Sequence, residues 1–195
     1  AIPAMVISAC MNTNPVMIYF GQELGEKGMD EEGFSGRDGR TTIFDYWTVD
    51  TIRRWRSGGK FDGKMLTKEE KKLQNFYSTL LNLCNKEKAI REGVFFDLTY
   101  ANLEGIVFNE HKQYAFFRKA GKELIFIIVN FDEKPAAPCV KIPTHAFDYL
   151  GIPFKESYKA KDLLTGNTET LVMAPDQCTQ ILLEGCGAKI LKIKL

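Results

Sequence analysis

The chain has 195 residues, of which 45% are hydrophobic and 26% charged, with 26 Lys and Arg against 25 Asp and Glu. That is enough apolar content for a sizeable core, in one domain or two small ones. A net charge of +1 leaves no electrostatic footprint for nucleic acid or an anionic membrane as partner, and the short basic cluster Arg53, Arg54, Arg56 is offset by acids and reads as a solvated face.

The chain opens on an apolar run from Ile2 to Cys10. Ile7-Ser8-Ala9-Cys10 is similar to a lipoprotein cleavage box, but no basic segment precedes it and the run is too short to span a bilayer. The alternative is a core helix whose partner elements lie upstream. Pro15-Val16-Met17-Ile18-Tyr19-Phe20, bounded by Asn14 and Gly21, is β-branched and aromatic. It predicts a short strand buried on both faces, as in a parallel sheet, with Pro15 tolerated at its start.

From Gly21 to about Gly63 periodicity dissolves into a long loop, with a short helix near Val49 to Arg56. Its aromatic residues, Phe34, Phe44, Tyr46, Trp47 and Trp55, argue against disorder. Thr67 and Glu70 have capping-box spacing and open a helix whose apolar face is Leu73, Phe76, Tyr77, Leu80, Leu81 and Cys84. Lys86 and Lys88 near its end suit the helix dipole.

From about Arg91 the period changes to two. Strands are predicted at Val94 to Leu98, Gln113 to Lys119, Glu123 to Phe131, Cys139 to Ile142, Glu156 to Leu164, Glu169 to Met173, Thr179 to Glu184 and Lys189 to Lys194. About eight short strands with no helix between them imply an antiparallel sandwich or barrel. The fold class is therefore mainly β, with a Greek-key-type β-sandwich over 91–195 after an α/β remnant over 1–90. A single strand between two helices has no sheet to pair with, and its backbone groups would be orphaned. On that ground residues 1–90 read as the truncated end of a larger α/β domain. The strand and both helix faces are then expected to pair with another copy, pack on the sandwich or aggregate.

The five cysteines, Cys10, Cys84, Cys139, Cys178 and Cys186, are scattered, and no CxxC spacing points to zinc or redox chemistry. They read as buried or idle thiols, with Cys178 and Cys186 placed to face each other across a hairpin.

Pro15 to Glu23 resembles the last barrel strand of the α-amylase family, glycoside hydrolase family thirteen. Gly39 to Trp47 is similar to the family segment in which an Arg precedes a Trp, although Thr41 to Asp45 replace the usual Pro and Met. Leu83 to Gly93 is similar to the family's eighth helix and its exit into the sandwich. Tyr114 to Arg118 and Ile127 to Phe131 resemble the first sandwich hairpin.

The resemblance implies the end of a TIM barrel followed by the C-terminal sandwich of an enzyme that acts on α-glucans with retention. Such chemistry needs two carboxyl groups about 5 Å apart. In this family they lie on barrel strands four and five, with a third Asp after strand seven, at the face where this fold holds its sites. No Asn-His-Asp triplet occurs, so no catalytic residue is expected here and the chain alone is expected to be inactive. What remains is the rim of the cleft. Gln22 and Glu23 stand where the last strand opens, Arg40 is placed to hold an acid or a sugar hydroxyl, and Tyr46 and Trp47 to stack on a sugar ring. The structural alternative pairs Glu23 with Arg40 and uses Trp47 as filler. No metal ligand or cofactor is expected in this chain; calcium is implied for the parent only, mostly through upstream residues. The implied partner is an α-glucan oligosaccharide or polysaccharide. Two other readings are a carbohydrate-binding sandwich with Tyr114, Phe116, Phe117 and Tyr158 as a sugar platform, and a lipoprotein or interaction module. Against the platform, strand aromatics at period two are ordinarily core.

Overall fold

The computed structural model describes residues 2–26, 49–103 and 107–195. They form two compact units, Ala1–Asn14 with Leu80–Leu195, and Pro15–Thr79.

All eight predicted strands of the larger unit are present: β1 Val94–Asp97, β2 Gln113–Ala120, β3 Glu123–Asn130, β4 Cys139–Lys141, β5 Tyr158–Asp162, β6 Thr168–Leu171, β7 Cys178–Gln180 and β8 Ala188–Lys194. Six make an antiparallel sheet in the order β1-β2-β3-β8-β5-β6, and β4 and β7 pair as a second sheet. The core gathers Phe117, Leu124, Phe126, Leu191 and Ile193 of the large sheet with Val140, Ile142, Ile181 and Leu183 of the other layer. This is the antiparallel sandwich that the period-two pattern implies.

The β3 run Leu124-Ile125-Phe126-Ile127-Ile128-Val129 does not alternate, and every one of these residues is fully buried. The reason lies on the other face. There, Ile125, Ile127 and Val129 share a side with Arg118 and Phe116 of β2, and helices α1 (Ile2–Cys10) and α4 (Lys88–Glu92) pack against β3. A strand covered on both faces has no polar side to show. Thus α1 is a core helix, and its main partners among the described residues are β3 and β8 of the sandwich, where upstream elements were expected.

One buried cation fixes both helices. Arg118 is 2% exposed. Its Nε donates to the Ala89 carbonyl at 3.2 Å, one terminal nitrogen to Met11 O at 2.8 Å and the other to Ile90 O at 2.8 Å. The Met11 carbonyl lies just past the C-terminal end of α1, where the helix dipole favours a cation, and the other two lie within α4. Gly93 makes the tight exit from α4 into β1. A Cβ there would sit 2.1 Å from Ala89 O and 2.7 Å from Lys119 O, so only glycine fits.

The predicted long helix runs from Lys68 to Lys86 (α3) and stops there, with Lys88 opening α4. Glu87 between them is extended at φ −80°, ψ 115°. Its buried carboxylate meets Lys192 Nζ at 2.5 Å, and the same ammonium lies 3.0 Å from Glu123. Glu123 in turn accepts the Ala89 N–H at 2.7 Å, satisfying an orphan donor of α4. Burial works against charging Glu123, but the Ala89 N–H and the Lys192 ammonium outweigh it and hold its carboxyl below the ordinary range. Its folded pKa is therefore lower than its unfolded one. The stabilisation is complete above the unfolded value of about 4.3 and is lost as pH falls through the folded value. Urea midpoints measured from about pH 6 to about pH 3 should drop at the acid end, less steeply in Glu123→Gln; equal slopes for the two proteins would refute this role.

Three expectations change. Residues 15–20 form no strand and leave Val16, Met17 and Tyr19 exposed. An apolar run needs neighbouring strands to satisfy its ladder, and among the described residues it has none. A helix, α5 (Thr144–Leu150), interrupts the predicted all-strand stretch. Cys178 is bonded to Cys139, and Cys186 is an exposed free thiol. Cys178 and Cys186 do not face each other because β7 pairs with β4, whereas β8 pairs with β3 and β5.

Candidate functional site

In the smaller unit, Gln22 to Leu24 form a 3-10 turn between two glycines in the left-handed region, Gly21 at φ 75° and Gly25 at φ 79°. A Cβ on Gly21 would lie 2.7 Å from Glu26 Cβ, so the chain closes this tightly only on glycine. Gln22 spends its amide on the scaffold. Its Nε2 donates to the Tyr77 hydroxyl at 2.9 Å and its Oε1 accepts the Tyr19 N–H at 3.0 Å. Tyr77, on α3, is 3% exposed. Gln22 thus anchors the turn, and Glu23 stands partly exposed on it. The structure therefore places the two predicted rim residues together and gives Gln22 a positioning task.

The frame beneath is polar and closed. α2 (Asp50–Arg56) follows Val49 as expected. Thr51 on α2 donates its hydroxyl to the Glu26 carboxylate. Arg54 on α2 holds Glu70 with Nε 3.0 and 3.1 Å from the two carboxylate oxygens. Glu70 and Thr67 close the predicted capping box, Thr67 N–H to Glu70 at 2.8 Å and Glu70 N–H to Thr67 Oγ1 at 3.2 Å. The Arg54 guanidinium holds the Glu70 carboxyl below its usual range.

Arg40, Tyr46 and Trp47 lie outside the described residues. Among the described residues no group of three or more His, Cys, Asp or Glu side chains could hold a metal ion. None of the described helices is long and apolar enough to cross a membrane.

The proposed sugar platform on the sandwich is not one. Phe116 and Phe117 are fully buried and Tyr158 is 1% exposed, so these rings belong to the core. Tyr114, partly exposed, lines a cleft with Ile7, Met11 and Phe131. The rings that do surface together were missed by the sequence reading. Phe96 of β1 lies 5.6 Å from His145 and 5.9 Å from Tyr149, both on α5, and 6.4 Å from Tyr100. The Tyr100 hydroxyl is 2.5 Å from His145 Nε2. The signal for α5 was present in Pro143, the apolar trio Ala146, Phe147 and Leu150, and the terminal Gly151, which adopts φ 59° and bonds back to Asp148 and Phe147.

No protein-family model and no curated protein matches the sequence. Solved structures do. AmyP in complex with maltose superposes at a TM-score of 0.60 and 19% identity over 97% of this chain and 33% of its own. A noncanonic maltogenic α-amylase, AmyB from Thermotoga neapolitana, gives 0.59 at 12% identity over 99% of this chain and 36% of its own. The Geobacillus thermoleovorans α-amylase complexed with acarbose gives 0.52 at 14% identity, over 99% and 32%. The chain thus spans about a third of the length of each. A mainly antiparallel β-sandwich preceded by helical segments is a fold this chain shares, nearly end to end, with about a third of each of these larger chains.

Proposed function

We propose that the chain is the C-terminal portion of an α-amylase-type glycoside hydrolase that acts on α-glucans with retention. The observation that carries this reading is the match to α-amylases over 97–99% of the chain, bound in two of those structures to maltose and acarbose. On this reading residues 1–90 complete the barrel and residues 91–195 are the sandwich that supports it. The nucleophile and the acid/base, about 5 Å apart, belong to barrel strands outside this chain.

This chain supplies one edge of the cleft. The Gln22–Leu24 turn, fixed through Tyr77, presents the Glu23 carboxylate to accept hydrogen bonds from sugar hydroxyls. Arg40 orients an acid or a hydroxyl, and Tyr46 and Trp47 offer ring faces to the apolar side of a pyranose. Calcium, where the intact enzyme carries it, is assigned mostly to residues upstream of this chain. Self-association of the isolated chain through the exposed Val16, Met17 and Tyr19 belongs to the same reading.

The test compares the 195-residue chain with the intact protein on starch and maltooligosaccharides. The intact protein should release reducing sugar and the chain alone none; turnover by the chain alone would overturn the placement of the chemistry. In the intact protein Glu23→Gln should raise KM or lower kcat by about tenfold, the loss of one charged hydrogen bond to substrate.

A further inference from the structure

We propose that Cys10 and Cys84 form a reversible dithiol–disulfide site that fastens α1 to α3. Cys10 is the last residue of α1 and is fully buried. Cys84 lies in the last turn of α3 and is partly exposed. Their Sγ atoms are 3.9 Å apart, although the two residues are 74 positions apart in the chain. That separation hides the pair from any argument on local spacing. Both residues belong to the larger unit.

The surroundings give the two sulfurs different roles. The Cys84 thiol donates to the Ala9 carbonyl at 3.5 Å, so the proton between the two sulfurs comes from Cys10. That hydrogen bond, together with burial, holds the Cys10 thiol well above its ordinary pKa. The same bond, received by Cys84, outweighs burial there and brings its thiol below the ordinary value. Cys84 is thus the sulfur that both ionises and meets solvent, as an attacking thiol must. Cys10 stays protonated and covered behind it. The Arg118 guanidinium, bonded to the adjacent Met11 carbonyl at 2.8 Å, acts the other way and favours a Cys10 thiolate.

The co-reactant is a low-molecular-weight disulfide. The Cys84 thiolate attacks one of its sulfurs, a bond to Cys84 Sγ forms, and the small molecule's S–S bond breaks. Its other half leaves and takes up the proton that Cys84 lost. Cys84 then no longer serves Cys10 as a thiolate acceptor, while Arg118 remains. Cys10 loses its proton and attacks Cys84 Sγ. The Cys10–Cys84 bond forms, and the second half of the small molecule leaves as a thiol carrying that proton. Two protein thiols have given up two electrons, and one small disulfide has become two thiols. The sulfurs close from 3.9 Å to the ~2.05 Å of a disulfide. The bond ties α1, which packs on β3 and β8, to the end of α3, and it restricts the unfolded chain over the loop it closes.

The test equilibrates the 195-residue chain carrying Cys186→Ser, which removes the exposed free thiol, in glutathione buffers from reduced to oxidised. Alkylation and peptide mass spectrometry read the state of each cysteine. Cys10 and Cys84 should lose their thiols together in one transition, joined to each other and free of glutathione, and reduced glutathione should return both. Oxidation should raise Tm by roughly 4–16 °C, and the rise should be absent when Cys84→Ser is added. In that variant the buried Cys10 should remain a thiol. With Cys10→Ser instead, Cys84 should stop at the glutathione adduct. Thiols that survive the oxidised buffer, a lasting adduct on Cys84 while Cys10 is present, a bond that forms only in urea, or a bond that leaves Tm unmoved would each overturn the proposal. If Cys10→Ser does not fold, the thiol counts of the Cys186→Ser chain and of its Cys84→Ser partner decide the matter without it. Glycosidase activity enters none of these readouts, so the functional reading above stands or falls separately.

Discussion

Replacing Arg118 by Met should cost about 3 kcal/mol of unfolding free energy and lower Tm by roughly 6–12 °C. Methionine keeps the aliphatic stem but removes the guanidinium and the three hydrogen bonds it donates. The guanidinium has no carboxylate partner among the hydrogen bonds it makes; it is held by the carbonyls of Met11, Ala89 and Ile90. Burial lowers its pKa from the usual value, the mark of a charge that the fold pays to desolvate. Two effects therefore oppose each other in the variant. Removing the charge recovers its desolvation cost, and removing the donors leaves the carbonyls of Met11, Ala89 and Ile90 with fewer partners. Each hydrogen bond to a charged group contributes about 1.5–3 kcal/mol, so three of them should outweigh the recovery. Arg118→Lys keeps the charge but reaches fewer carbonyls at once, and should fall between parent and Met. Urea denaturation decides the matter. A Met variant within about 1 kcal/mol of the parent would mean that desolvation cancels the hydrogen bonds, and that α1 and α4 are held by apolar packing alone.

The same residue shows where sequence reasoning was strong and where it stopped. Apolar runs and turn chemistry located the strands of the sandwich because both are local facts, as at the β2–β3 hairpin around Gly121, which takes φ 57°, even though β3 itself does not alternate. It gave no hint that Arg118, inside an aromatic run, would be 2% exposed, because its carbonyl partners lie 28, 29 and 107 residues away. The run at Val16 to Phe20 misled for the complementary reason. Apolar β-branched residues state a preference, and a strand forms only where other strands complete the ladder. At the candidate site, adjacency alone grouped Gln22 with Glu23. The fixing of Gln22 by Tyr77, 55 residues on, needed the fold. The grouping of Phe96, Tyr100, His145 and Tyr149 was invisible because its rings come from β1, a 3-10 turn and a helix in a stretch where no helix was expected.

Loss of the Cys139–Cys178 bond should be comparable, about 2–4 kcal/mol. The bond closes a segment of 39 residues that contains α5, β5 and β6. In the chain-entropy account a loop of that length corresponds to ~4 kcal/mol, with the lower end allowing for residual structure in the unfolded chain. The local need is also large. β4 and β7 are three residues each and, among the described residues, pair only with one another, and a two-stranded ribbon is marginal by itself. Yet this ribbon carries Val140 into the core, fully buried, beside Ile142 and Ile181. The bond joins the two strands where Lys141 pairs with Cys178 and Cys139 with Gln180. The Cys139→Ser, Cys178→Ser double variant is the clean comparison, since either single variant leaves a thiol able to exchange with the exposed Cys186. Its Tm should fall by roughly 4–16 °C, and the parent melted in a phosphine reductant should fall to meet it. A parent whose melting is unmoved by the reductant, alongside a double variant of equal stability, would show that the ribbon is held by its core contacts and that the bond adds nothing to them.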